Sequence, residues 1–194
     1  VRFLSELGKV GPYSVGQARV VRRWQVLEAT PEVGNLLRRE RIAAATGTPE
    51  DDVQQVIDRI LAAERTAWLR IRGDGGSARI VEILHEAGID VGHAAHPDAL
   101  AAYEEFWEPH SYTDPEVLPL WEGLRDRGIR VGVLSNTIWS RDYHDGVFAR
   151  DGVLHLLDGA VYTSEISHAK PHPISFREAL AAVGVSDPAR AVYV

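Results

Sequence analysis

The sequence predicts an α/β protein: a helical module over residues 1–111, then a parallel sheet layered with helices over 112–194. Three observations predict this. From residue 14 to about 108, apolar residues recur at three- and four-residue spacings, with no alternating run among them. The pattern changes near 108–113, where helices begin to alternate with short apolar runs at 129–134, 160–162 and 191–194. Those runs are short and mainly apolar, as expected of strands covered on both faces.

The helical elements follow in order. Val15, Ala18, Val20, Val21, Trp24, Val26 and Leu27 suit a helix over 14–28, with Arg19, Arg22 and Arg23 on wetter positions. Pro31 opens a second, carrying Val33, Leu36, Leu37, Ile42 and Ala45, which closes near Gly47. Arg38, Glu40, Arg39 and Arg41 on it read as a solvated face. Thr48-Pro49-Glu50-Asp51 predicts a strong start: Thr48 as cap, Pro49 at the first helical position, acids near the positive end of the dipole. The long helix after it repeats Val53, Val56, Ile57, Ile60, Leu61, Ala63 and Trp68 and breaks at Arg72-Gly73-Asp74-Gly75-Gly76. Those glycines miss the dinucleotide-binding spacing, and no strand precedes them, so they read as a turn. Ser77–Ala87 and Pro97–Trp107 are the next two helices.

Beyond Tyr112, Asp114-Pro115-Glu116 starts a helix that ends at Gly128. A strand over 129–134 runs into Ser135-Asn136-Thr137. A helix follows from about Ile138, then a strand at 160–162, a helix over Pro173–Val183 and a last strand at 191–194. Val1 in place of a starting methionine, and an apolar ending with no turn after it, predict a parent chain longer than these 194 residues.

Composition narrows the chemistry. With no cysteine, disulfides, thiolate metal sites and cysteine nucleophiles are excluded. The net charge of −7, from 28 acids and 21 bases, argues against nucleic acid as a partner. No apolar run approaches the ~20 residues of a membrane span, and no signal-peptide pattern opens the chain. A soluble, cytoplasmic protein is the expectation, monomeric or homodimeric.

Two positions stand out. Ser135 ends an apolar strand, and the carboxyl ends of parallel strands face the ligand crevice. A hydroxyl there, with backbone N–H groups entering a helix, suits an anion. Capping of the next helix by Ser135 or Thr137 is the other reading. Lys170 is one of only two lysines, beside Lys9, against nineteen arginines. It lies in His168-Ala169-Lys170-Pro171-His172-Pro173, where two prolines stiffen the loop. Its ammonium either neutralises an anion or is solvated. His93 with His96, and His168 with His172, complete no metal-binding pattern, and two-histidine ligation stays open. Asp142, His144 and Asp145 match no acid–base pair. Trp139 reads as packing or as part of the rim. The other four tryptophans lie in apolar helical stripes and read as core.

Together these residues resemble the haloacid dehalogenase-like (HAD) hydrolase superfamily. Asp114–Asn136 is similar to the approach to its second motif, with Ser135 at the phosphate-binding serine and Asn136 beside it. Ser164-Glu165 through Lys170-Pro171-His172-Pro173 resembles the third motif, although His168-Ala169 replaces a frequent glycine. Pro188–Val194 resembles the strand that delivers the fourth. The likeness is good over 112–194. Residues 14–108 resemble, less specifically, a helical cap inserted after the first motif.

The resemblance implies a Rossmann-like parallel sheet with a helical cap, and a phosphatase acting on a small phosphorylated substrate. It implies phosphate binding by Ser135, Asn136 and Lys170, with Ser135 and Lys170 serving catalysis. It further implies an aspartate nucleophile that becomes an aspartyl-phosphate, a second aspartate as acid and base, and Mg2+. No apolar strand here ends in Asp-x-Asp, and the resemblance implies that the fourth motif's acid should come just beyond Val194. The family's first strand is central, which predicts a gap between the 129–134 and 191–194 strands. A metal-independent dehalogenase and a non-catalytic binding or regulatory protein are the alternatives.

Overall fold

The computed structural model describes residues 45–93, 96, 98–108 and 111–194. The helices expected over 14–28 and from Pro31, with Trp24 and the Arg38–Arg41 cluster, lie outside the described residues.

The first described helix, α1, spans Glu50–Asp74, with Glu50, Asp51 and Asp52 in its first turn. Its buried stripe, Val53, Val56, Ile57, Ile60, Ala63, Ala67 and Ile71, follows the predicted spacing. Two details differ. Pro49 is itself the cap residue, and the Thr48 hydroxyl pairs with that of Thr46 at 2.5 Å instead. The helix also continues through Gly73 and stops at Gly75, whose φ of 72° is left-handed. A solvated helical glycine costs only about 1 kcal/mol, so Gly73 does not end a long, well-buried helix. Helix α2, Ile80–Glu86, starts later than predicted. Arg79 is extended there, and its N–H donates to the Glu82 carboxylate at 3.2 Å. Helix α3 is Ala99–Trp107. No strand occurs among the described residues of 45–108, where the sole sheet-like contact is an isolated bridge from Gly76 to His168.

After this come α4 (Val117–Arg125), β1 (Gly132–Ser135), α5 (Arg141–Arg150), β2 (Gly159–Tyr162) and α6 (Pro173–Ala182). The strands pair in parallel, Gly132 with Gly159 through Ser135 with Tyr162. A parallel pair needs a crossover, and α5 supplies it. Helix α6 lies across both strands. The paired glycines make room for it. A Cβ on Gly132 would strike the Val183 side chain, and one on Gly159 would strike the Ala182 carbonyl.

The strand expected at 191–194 is corrected. It follows a 3-10 turn at Pro188–Arg190 and joins no ladder. Apolar composition suits a strand, but a strand exists only where a partner takes its backbone hydrogen bonds, and no described segment does so here. A groove of about 540 Å³ lies between β1 and this segment, lined by Leu134, Phe176, Tyr193 and the Lys170 side chain among others.

Among the described residues, an apolar cluster joins the two parts of the chain. It holds the buried stripe of α1, Ile80, Ile83 and Leu84 of α2, and Ala99 of α3. It also takes Ile138 and Ala169, from the loops that follow β1 and β2.

Candidate functional site

Register places Ser135 and Tyr162 side by side where β1 and β2 end. Beyond that point hydroxyl groups replace the ladder. The Thr163 hydroxyl accepts from the Thr137 N–H at 3.0 Å and lies 3.3 Å from the Thr137 carbonyl, to which it donates. The Ser164 hydroxyl donates to the Trp139 carbonyl at 2.5 Å. Thr163 and Ser164 are buried, so these bonds fix the two turns where regular pairing stops.

Neither Ser135 nor Thr137 caps α5. Ser140 does, accepting from the Tyr143 N–H at 3.2 Å. Thr137 instead accepts from the Trp139 N–H at 3.1 Å and meets His144 Nε2 at 2.8 Å. The helix therefore begins at Arg141, three residues later than expected. The Ser135 hydroxyl makes no hydrogen bond among the described residues.

Lys170 reaches the same strand end from 35 positions away. Its Nζ donates to the Leu134 carbonyl at 2.8 Å and to the Tyr193 hydroxyl at 2.6 Å, and sits 5.1 Å from the Tyr193 ring centroid. An ammonium has three donors, so one ties the amine to β1, one goes to Tyr193, and one remains. Asn136 holds the loop from below. Its Nδ2 donates to the Lys170 carbonyl at 3.0 Å, and its Oδ1 accepts from the Lys170 N–H at 2.7 Å. The helical part closes in through main-chain contacts. The Gly75 carbonyl accepts from the Ala169 N–H and the Ile138 carbonyl from the Ile80 N–H, both at 2.8 Å. Arg79 Nε donates to the Ser164 carbonyl at 3.1 Å.

Sequence reasoning singled out Asp142, His144, Asp145 and Trp139 but missed the contacts that join them to Tyr143, Tyr162 and Glu104 behind these loops. His144 stacks on Tyr162 at 4.5 Å between ring centroids, 12° from parallel. Burial pushes its imidazole down to about 4, against a smaller upward pull from Asp145. The Tyr162 hydroxyl donates to Asp145 at 2.9 Å. Burial first, then Asp145, raise that phenol well above its ordinary value. Trp139 stacks on Tyr143 at 4.5 Å, and the Tyr143 hydroxyl pairs with Ser111 at 2.6 Å. Burial foremost, then Asp142, raise the Glu104 carboxyl. A histidine in an ordinary helical stretch gives no local sign of this, since its partners come from the other side of two turns. The His168 and His172 rings stack at 3.9 Å, and the His172 imidazole caps α6 by accepting from the Ile174 N–H at 3.2 Å.

Comparison with known families decides the class. The family model of the haloacid dehalogenase-like hydrolases matches residues 18–194, most of the chain. The chain belongs to the haloacid dehalogenase-like hydrolases. Comparison with the curated proteins finds no match. As in the HAD-like α/β arrangement, a small parallel sheet carries helices, with a helical region before it. Magnesium, which the superfamily implies, finds no ligand set among the described residues: no three His, Asp or Glu side chains converge on a point that could hold a metal. No helix among them is long and apolar enough to cross a membrane.

Proposed function

We propose that this HAD-like hydrolase is a phosphatase acting on a small phosphorylated metabolite in the cytoplasm. In this reading, the Ser135 hydroxyl and the Lys170 ammonium bind the phosphoryl oxygens. Residues 1–111 serve as the cap and 112–194 as the core. One observation carries the proposal: a lysine from a distant loop is anchored by its amine to the Leu134 carbonyl of β1, and the next residue is Ser135, whose hydroxyl makes no hydrogen bond among the described residues. A transferring phosphoryl group spreads negative charge over its oxygens, and a fixed ammonium beside a short hydroxyl donor answers that charge.

The test is Lys170→Ala and Ser135→Ala in the full-length protein, with turnover of a generic phosphomonoester in magnesium. Loss of the lysine removes a full charge facing the transition state, and turnover should fall about a hundredfold or more. Loss of the serine removes one neutral hydrogen bond and should cost less. Near-wild-type turnover in a folded Lys170→Ala variant overturns the proposal. So does dehalogenation of a haloacid that survives a strong chelator while the phosphomonoester is untouched.

A further inference from the structure

We infer that Asn136 is a positioning residue for Lys170 and that it does not itself bind the anion. The inference rests on the proposed role of Lys170. Asn136 and Lys170 are 34 positions apart, yet the Asn136 amide meets both backbone polar groups of Lys170, at 3.0 and 2.7 Å. A side-chain amide carries the same donor and acceptor as a peptide group. Here it pairs with the Lys170 main chain as a peptide group of a neighbouring strand would, one residue past the end of the ladder. The Lys170 backbone is thereby fixed relative to β1. The Nζ bond to the Leu134 carbonyl, at 2.8 Å, then fixes the other end of the same side chain. A long, rotamer-rich lysine held at both ends reaches an anion with less ordering left to do on binding. The Asn136 oxygen and one of its amide hydrogens are committed to this latch, and an anion ligand would have to give them up.

The chain's two lysines make the inference directly observable. Lysine labelled with 13C at Cε gives two signals in the 194-residue chain, and the one that vanishes in Lys170→Ala belongs to Lys170. In Asn136→Ala, without any ligand, the Lys170 signal should move toward that of a freely rotating lysine while the Lys9 signal stays in place. Asn136→Asp keeps the acceptor for the Lys170 N–H but sets a carboxylate oxygen against the Lys170 carbonyl, and should move the signal in the same direction by less. It serves as the readout if the alanine variant does not fold. Inorganic phosphate is the probe for binding. Asn136→Ala should weaken its affinity roughly tenfold, the scale of a lost hydrogen-bond pair. In a Lys170→Ala background the same change should weaken it no further, because the two residues act as one unit. An unmoved Lys170 signal overturns the inference. An equal loss of phosphate affinity in both backgrounds also overturns it and makes Asn136 a direct ligand. If wild-type chain binds no phosphate, the phosphatase reading fails, and the ligand-free signal still decides the latch.

Discussion

Acidification should destabilise this protein through one imidazole. His144 titrates at about 4 in the folded chain, against 6.5 for an exposed histidine, mainly because it is buried. The Thr137 hydroxyl accepts from the Trp139 N–H and still has its hydrogen to donate to a neutral His144 Nε2, 2.8 Å away. The neutral ring is the form that fits. A folded value below the unfolded one means that the unfolded chain binds more protons between the two. The stabilisation is therefore complete above about 6.5, fades as pH falls through that value, and is gone near 4. The whole shift corresponds to about 3 kcal/mol, of which about 2 kcal/mol is lost by pH 5. Urea denaturation followed by circular dichroism at pH 7.5, 6.5, 5.5 and 5 measures it, for wild type and for His144→Gln. Glutamine can still accept from Thr137 but does not titrate. Carboxylates elsewhere titrate in both proteins and cancel in the difference. The stability gap between them should shrink by about 2 kcal/mol from pH 7.5 to 5. A gap that stays constant across that range refutes the reasoning, because the imidazole would then titrate alike in both states.

Two further changes test the scaffold. Gly159→Ala should cost about 1–3 kcal/mol in urea denaturation, because the new methyl meets the Ala182 carbonyl, which is backbone and cannot rotate away; an unchanged midpoint would mean that α6 does not rest on the strands as described. Thr163→Val keeps the shape but leaves the buried Thr137 N–H without its acceptor, a loss of about 1–3 kcal/mol, and amide exchange at Thr137 should quicken more than at Val161 within β2.

Much of the α/β half was legible because its signals are local. Short apolar runs mark β1 and β2, and the prolines around Lys170 mark a stiff loop that does bring its lysine to the end of β1. Boundaries were less legible, because each was settled by a competition. Residues 129–131 read as strand, but Gly128 turns at φ 69°, and the Val131 N–H goes to the Asp158 carboxylate at 2.7 Å. The ladder begins one residue later, at Gly132. Ser140 won the cap of α5 because Thr137 had two other partners. The latch from Asn136 and the burial of His144 left no trace in the sequence, since each depends on a contact across one or more loops. Tyr193 is similar: its apolar neighbours suggested a strand, whereas its hydroxyl meets the Lys170 amine and its ring packs edge-on to Phe176 at 5.4 Å.

The same geometry constrains how the helical part can move over the site. Ile138 follows β1 by three residues, and Ala169 directly precedes Lys170. Both belong to the apolar cluster built on α1 and α2, with Ala169 fully buried. Main-chain hydrogen bonds reinforce them, from Ile80 to Ile138 and from Ala169 to Gly75. Swinging the helices away as a rigid body would draw Ile138 out of that cluster, at a cost of about 1.5–3 kcal/mol for the side chain alone. It would also leave two backbone pairs to be remade with water. The alternative is that the loops travel with the helices, in which case the Asn136–Lys170 latch and the hydroxyl bonds of Thr163 and Ser164 hold the loops together while they shift against β1. Either way, such a motion would disturb the turn after Ser135 and the loop carrying Lys170 together, because one set of contacts holds both.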